Sequence, residues 1–263
     1  MNIHTDANRT GKHWSNSLWS TCPWQTIKDN PGMGFTYESN FTPATVATGE
    51  RDYTLTVVGA GSATLAGANA HGGQIVLDTG ATTTDKGANV NPGGATSAFI
   101  VPSAATTSWF ETLVKFTTIS TAPASFIGFS TQATGLATTG LVDGTDYIGF
   151  YSTATNTLKF TYKDGGGTQY LGSALTIYGS TTTYTTAQWI KLGFKVDGLT
   201  TVTPFINGVM GTPIAATTTY PIPDAIMNIC YSIICKGTVQ PTLTIDWVRF
   251  ACRDESIGVV SIA

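Results

Sequence analysis

Charge is what this sequence has least of. Lys, Arg, Asp and Glu together make up 11% of its 263 residues, against roughly a quarter in ordinary globular domains. Thirteen basic and sixteen acidic side chains sum to a net charge of −3. No basic patch is left for phosphate contacts, which excludes a nucleic-acid role. No apolar run reaches the ~20 residues that a membrane-spanning helix needs. The first ten residues, MNIHTDANRT, hold no apolar stretch of the kind a secretory leader carries, so the expected place of synthesis is the cytosol. Cysteine is also scarce. Cys22, Cys230, Cys235 and Cys252 are too few and too scattered for a disulfide scaffold. Buried free thiols are the expectation, with a bridge from Cys230 or Cys235 to Cys252 as the alternative in an oxidising environment. The Cys230–Cys235 spacing fits no zinc pattern, and no metal or cofactor is expected.

Thr, Ser, Gly and Ala fill the places that charges leave, and aromatics reach 11%. Branched and aromatic side chains pack well on a pleated surface, so strands are favoured over helices. The run from Trp189 to Val196 shows this most clearly. Ile190, Leu192, Phe194 and Val196 fall on one face, Lys191 and Lys195 on the other, the period-2 pattern of a half-buried antiparallel strand. Asp197-Gly198 and Asn207-Gly208 supply residue pairs that tolerate positive φ, so two tight hairpins are predicted around Val202–Ile206. Further strands are predicted near Phe35–Phe41, Tyr53–Val58, Gln74–Leu77, Ala98–Val101, Trp109–Phe116, Ser125–Phe129, Tyr147–Tyr151, Leu158–Lys163, Met227–Ile234 and Leu243–Phe250. One-sided strands of this kind must pair their apolar faces, which gives a sandwich of two sheets. Two stretches, Thr79–Thr96 and Thr131–Thr145, read as loops, and Asp143–Asp146 and Lys163–Gly167 as turns.

The first ~34 residues differ. Trp14, Trp19 and Trp24, half of the six tryptophans, lie there in a polar background with His4 and His13. A spacing of five fits neither a helix face nor a strand face, so an extended arm with short turns is predicted. Pro23 can open one helical turn that ends at Asn30-Pro31-Gly32. The division is an arm over residues 1–34 and a β-sandwich over 35–263. Such an arm cannot bury three indoles by itself; they pack on the following domain or on another chain.

The run WIKLGFKVD (Trp189–Asp197), the FING turn (Phe205–Gly208) and the late strand LTIDWVRF (Leu243–Phe250) resemble the concanavalin A-like lectin/glucanase group, which includes laminin-G-like modules and family 16 glucanases. The resemblance implies an all-β fold: an antiparallel jelly-roll β-sandwich with an extended N-terminal arm. It weighs little on activity, because this sandwich hosts lectins, hydrolases and structural proteins. The glucanase motif Glu-x-Asp-x-x-Glu, which places two carboxylates on one strand face, is absent. Glu50-Arg51-Asp52 lacks the second Glu, and Glu111 stands alone. In pattern and composition the chain is also similar to structural proteins of tailed bacteriophages, above all capsid decoration (cement) proteins.

That second resemblance implies a non-enzymatic virion protein on the capsid surface, made in the host cytoplasm. The arm, through His13, Trp14, Trp19 and Trp24, would anchor it to the major capsid protein or to neighbouring copies of itself. A homo-oligomer, for instance a trimer, would follow. The alternative for the arm is that it folds back on its own domain. The alternative function is a carbohydrate-binding adhesin, fibre or tail component whose glycan would lie on a platform drawn from Tyr147, Tyr151, Tyr162, Tyr170, Tyr178 and Tyr184.

Overall fold

In the computed structural model, the described residues are 14–41, 53–58, 61–65, 73–80, 85–92, 100–119, 123–131, 136, 142–152 and 156–255. Two helices open this part of the chain, α1 (Asn16–Trp19) and α2 (Trp24–Asp29), followed by a single 3-10 turn at Pro31–Met33. Strands then follow without another helix among the described residues. They are β1 (Gly34–Ser39), β2 (Tyr53–Val58), β3 (Ser62–Leu65), β4 (Ile75–Asp78), β5 (Gly87–Pro92), β6 (Thr106–Thr117), β7 (Ala124–Ser130) and β8 (Tyr147–Ser152). The second half of the chain adds β9 (Lys159–Lys163), β10 (Tyr170–Ala174), β11 (Trp189–Asp197), β12 (Thr201–Ile206), β13 (Val209–Met210), β14 (Ile214–Ala215), β15 (Asn228–Ile234) and β16 (Thr242–Asp254).

They form two antiparallel sheets. One runs β13-β12-β11-β6-β16-β4-β3, with β1 on β16 and β14 on β12; the other runs β10-β9-β8-β7-β15-β5-β2. The molecule is therefore an all-β sandwich of the jelly-roll type. Alternation along β11 decides its face: Ile190, Leu192, Phe194 and Val196 are buried while Lys191 and Lys195 point away. Phe194 sits at the centre of the core, with ring centroids 5.0 Å from Phe110, 5.5 Å from Phe160 and 5.8 Å from Phe129. Edge-to-face and tilted contacts at this spacing add to the gain from burial itself. At the β12–β13 hairpin both Asn207 (φ 51°) and Gly208 (φ 81°) are left-handed, as a two-residue turn matched to strand twist requires.

The long strand β16 carries a bulge between Ile245 and Trp247, and changes neighbour there. Residues 242–245 pair with β4, whereas 248–253 pair with β1. An inserted residue shifts the inward parity, so Leu243 and Ile245 point in before the bulge, and Val248 and Phe250 after it. The Trp247 carbonyl accepts a hydrogen bond from Thr112 Oγ1 at 2.7 Å, and Tyr231 Oη donates to that same Thr112 hydroxyl at 2.9 Å. This short polar chain ties the two sheets through the core and satisfies groups that would otherwise be costly to bury.

Several sequence expectations need correction. The predicted loop Thr79–Thr96 contains β5, whose residues Gly87–Pro92 are all buried between β2 and β15. Its GANVNP sequence lacks the usual strand composition, but Asn91 Nδ2 donates to the Ile229 carbonyl at 3.0 Å, and a central position protects the backbone bonds. Ala98–Val101 is reduced, in its described part, to one bridge between Ile100 and Met227. Strands β3, β10 and β14 were not expected, whereas β13 is the short return strand of the predicted Asn207-Gly208 hairpin. The four cysteines are free thiols, Cys230 and Cys235 buried and Cys22 and Cys252 half-buried. His71 and Glu50-Arg51-Asp52 lie outside the described residues.

Candidate functional site

Strands β6, β11 and β16 lie side by side, and their register sets one constellation on the outer face of their sheet. Glu111 is the Cα partner of Arg249 on one side and of Gly193 on the other. Two opposite charges and a glycine thus stand in one row. Each is placed outward by strand parity, and each is covered: Glu111 is 1% and Arg249 5% exposed.

The cover is the arm. The Ser15 backbone N–H donates to Glu111 Oε2 at 3.0 Å, and Trp19 Nε1 donates to the same oxygen at 2.8 Å. Leu18 is fully buried above Gly193, where a Cβ would come within 2.8 Å of the leucine side chain and 2.9 Å of the Phe110 carbonyl oxygen. Gly193 is therefore a seat left open in the middle of a strand. Trp109 Nε1 donates to Thr21 Oγ1 at 3.0 Å, and Ser17 Oγ donates to the Gly208 carbonyl. Leu18, Trp19 and Ile27 of the arm join Trp109, Phe205 and Ala251 of the sheet in a separate apolar cluster.

Arg249 is the centre of this arrangement. Its guanidinium carbon lies 3.6 Å from the Trp14 ring centroid, 3.7 Å from Trp24 and 4.4 Å from Trp19. Cation–π attraction at these distances is strengthened by the exclusion of water. Trp19 and Trp24 also pack edge to face, with centroids 5.5 Å apart. Glu38 of β1 reaches to 4.0 Å from Arg249 Nε. A spacing of five, unreadable on any one element, is resolved by the break between α1 and α2. Each tryptophan sits on a different piece of the arm, and the turn at 20–23 brings all three to one guanidinium.

The ionisable groups under the arm are perturbed by that cover. Burial pushes the Glu111 carboxyl up, opposed by the hydrogen bonds from Ser15 and Trp19 and by the Lys191 charge. Burial also pulls the Arg249 guanidinium below its ordinary pKa, with the Glu38, Cys22 and Glu111 charges acting the other way. The Cys22 thiol is raised to about 12, chiefly by desolvation.

The native state therefore binds a proton at Glu111 more readily than the unfolded chain does. Its contribution to stability is fully present below the ordinary Glu value of about 4.3. That contribution is lost as pH rises through the higher folded value. Glu111→Gln is expected to remove this slope, since an amide oxygen still accepts from the arm. Urea midpoints measured for both proteins from acid to alkaline pH check this: the difference should move in the variant's favour with rising pH.

The sequence-predicted residues thus fall as follows. Trp14, Trp19 and Trp24 are brought together in cis, Trp19 buried, Trp24 half-buried and Trp14 45% exposed; His13 lies outside the described residues. The residues that receive them, Glu111, Gly193 and Arg249, were not singled out as a site, because only the strand register aligns them. The tyrosine platform is overturned. Tyr147, Tyr151, Tyr162 and Tyr184 are at most 3% exposed, and Tyr170 stacks on Tyr162 with centroids 4.8 Å apart. Asp143–Asp146 is a turn, where Asp146 Oδ1 accepts from the Gly165 N–H at 2.7 Å. Among the described residues no group of three or more His, Cys, Asp or Glu side chains is arranged to hold a metal ion.

No protein family and no curated protein matches this sequence. Solved structures do match in shape. A protein of unknown function from Shewanella oneidensis MR-1 superposes with a TM-score of 0.58 at 14% identity, covering 86% of this chain and 90% of that one. A family 16 endo-glucanase from Bacteroides ovatus gives 0.54 at 10% identity, over 81% and 99% of the two chains. Botulinum neurotoxin type C, whose cell entry depends on two ganglioside molecules, gives 0.51 at 11% identity, over 86% and 49%. The likeness is one of fold: a concanavalin A-like jelly roll, a scaffold that glycoside hydrolases also use.

Proposed function

We propose that the protein is a non-enzymatic structural component of a virus particle, a capsid decoration protein that binds the major capsid protein and stabilises the shell. The observation that carries the non-enzymatic part is the fate of Glu111 and Arg249. Catalytic acids and bases with shifted acidity lie open to substrate in a cleft, whereas Glu111 and Arg249 are sealed beneath the arm and used to hold it.

Support for a role in assembly comes from the edge of the sandwich formed by β10 and β13. Leu171, Val209 and Met210 are 45%, 71% and 60% exposed there. A groove between β10 and the β12–β14 edge is lined by Leu175, Pro204, Ile206 and Ile214, with no charged side chain. Apolar surface of this kind suits contact with protein, and neighbouring copies in a trimer or the shell itself would cover it. The arm then acts as a cap on the sandwich, leaving one face of Trp14 outward as an anchor.

The test is reconstitution. Purified protein is added to phage shells assembled without it, and the particles are sedimented and heated. Co-sedimentation with a raised shell melting temperature is the expected result. Hydrolysis of a glycan or ester by the isolated protein, or failure to join any particle, would remove this reading.

A further inference from the structure

The two sheets end together on one side of the sandwich, at β10 and at β12 with its short companions β13 and β14. The groove between them has two contiguous parts of about 380 and 420 Å³, which share Ala174, Leu175, Pro204 and Thr212. We propose that this patch is the face of a two-fold dimer, in which the β12–β13 hairpin of each copy seats Val209 and Met210 in the groove of the other. The inference rests on the assembly role proposed above, for which it names the partner at this edge. No residue of the arm takes part in the contact.

Protrusion and groove belong to one patch. Val209 and Met210 are 71% and 60% exposed, yet they also line the groove beside Pro204 and Ile206. Their hairpin is held at its turn. Asn207 Oδ1 accepts from the Lys191 backbone N–H at 2.9 Å, and Asn207 Nδ2 donates to the Ile177 carbonyl at 2.8 Å. Past the turn, the Gly211 N–H donates to the Pro204 carbonyl at 2.8 Å. Little backbone order therefore has to be imposed on association, while the unbranched Met210 side chain can fit an irregular groove.

Symmetry follows from that adjacency. A ring built head to tail needs two different patches on each subunit, whereas a two-fold axis brings one patch against its own copy. Each group near such an axis meets its twin, so a charge there would face a like charge. The groove has no charged side chain, and neither stretch that builds this edge, 165–190 or 198–223, contains Asp, Glu, Lys or Arg. A partner selected by opposite charge would find nothing to pair with here. Strand β10 breaks register with β9 between Leu171 and Ala174, and such a bulge turns an edge away from strand addition. The contact is therefore made by side chains, without a sheet continued across the axis. Residues 171–176 and 209–215 are all at least partly exposed. They are fewer than the roughly 20–30 residues a side of a standard interface, which places the dissociation constant in the micromolar range.

Sedimentation velocity of the full chain, from micromolar to near-millimolar concentration, is expected to show a monomer–dimer equilibrium. Met210→Lys on the hairpin and Thr212→Lys in the groove should each raise the dissociation constant about tenfold or more, since like charges then face each other across the axis. Both residues are exposed, so the unfolding midpoint of the dilute protein should not move. An equimolar mixture of Met210→Lys and Thr212→Glu should recover most of the association, because the hairpin of one copy then meets an opposite charge in the groove of the other. Val57→Lys, on β2 at the other end of the same sheet as β10, should change nothing. A monomer at every concentration, a trimer, or a charge-swapped mixture that stays monomeric would overturn the inference. Shell binding is read separately: a dimer that joins no particle removes the capsid role and leaves this contact standing, and a monomer that still joins one does the reverse.

Discussion

Arg249→Ala should destabilise the folded protein by about 2–4 kcal/mol, the scale of several desolvated cation–π contacts and the packing of a nearly buried side chain. Three contributions act together. Cation–π contacts worth up to about 2 kcal/mol each when desolvated are lost. The space between Trp14 and Trp24, at 3.6 and 3.7 Å from the guanidinium carbon, is left empty. The ion pair with Glu38, whose carboxylate lies 4.0 Å from Arg249 Nε, is lost as well. The arm is expected to lift first, because its grip on the sheet runs through this residue and Glu111. Tryptophan emission should shift to the red, and protease should cut near residues 20–23 before the sandwich unfolds. A variant that keeps its native emission and loses less than about 1 kcal/mol would show that the stack is incidental.

Phe194→Ala is the second large effect, expected at about 3–5 kcal/mol. Phe194 is 1% exposed and touches rings from both sheets, Phe110 on one side and Phe129, Phe150 and Phe160 on the other. The cavity left behind cannot close without moving two sheets together. This variant should behave oppositely to the arginine one: the unfolding midpoint falls, yet the arm stays resistant to protease until the whole protein melts. The two variants together separate the strength of the sandwich from that of its cap. If both released the arm equally at low denaturant, the arm and the sandwich would be one cooperative unit.

Much of the architecture was legible in the residue pattern. The Ile190–Val196 alternation, the Asn207-Gly208 turn and the strand over Trp109–Phe116 all stand where period 2 and turn chemistry put them. The helical turn after Pro23 is α2. Strand β5 was unreadable, because Asn and Pro are poor strand formers and only burial between two neighbours makes them adopt one. The tyrosines on β8 and β9 misled as a platform, since alternation tells two faces apart without telling that Leu136 covers Tyr147 and Tyr151 on one face while Tyr162 points into the main core on the other.

By itself the sequence determined that this chain is a two-layered β-sandwich of low charge with a tryptophan-bearing arm, because strand parity and turn residues are local properties. The tertiary structure alone decided what the arm does. Glu111, Gly193 and Arg249 are separated by tens of residues and become one socket only through the pairing register of β6, β11 and β16. Register is set by the packing of whole faces against each other, and no short stretch of residues contains it.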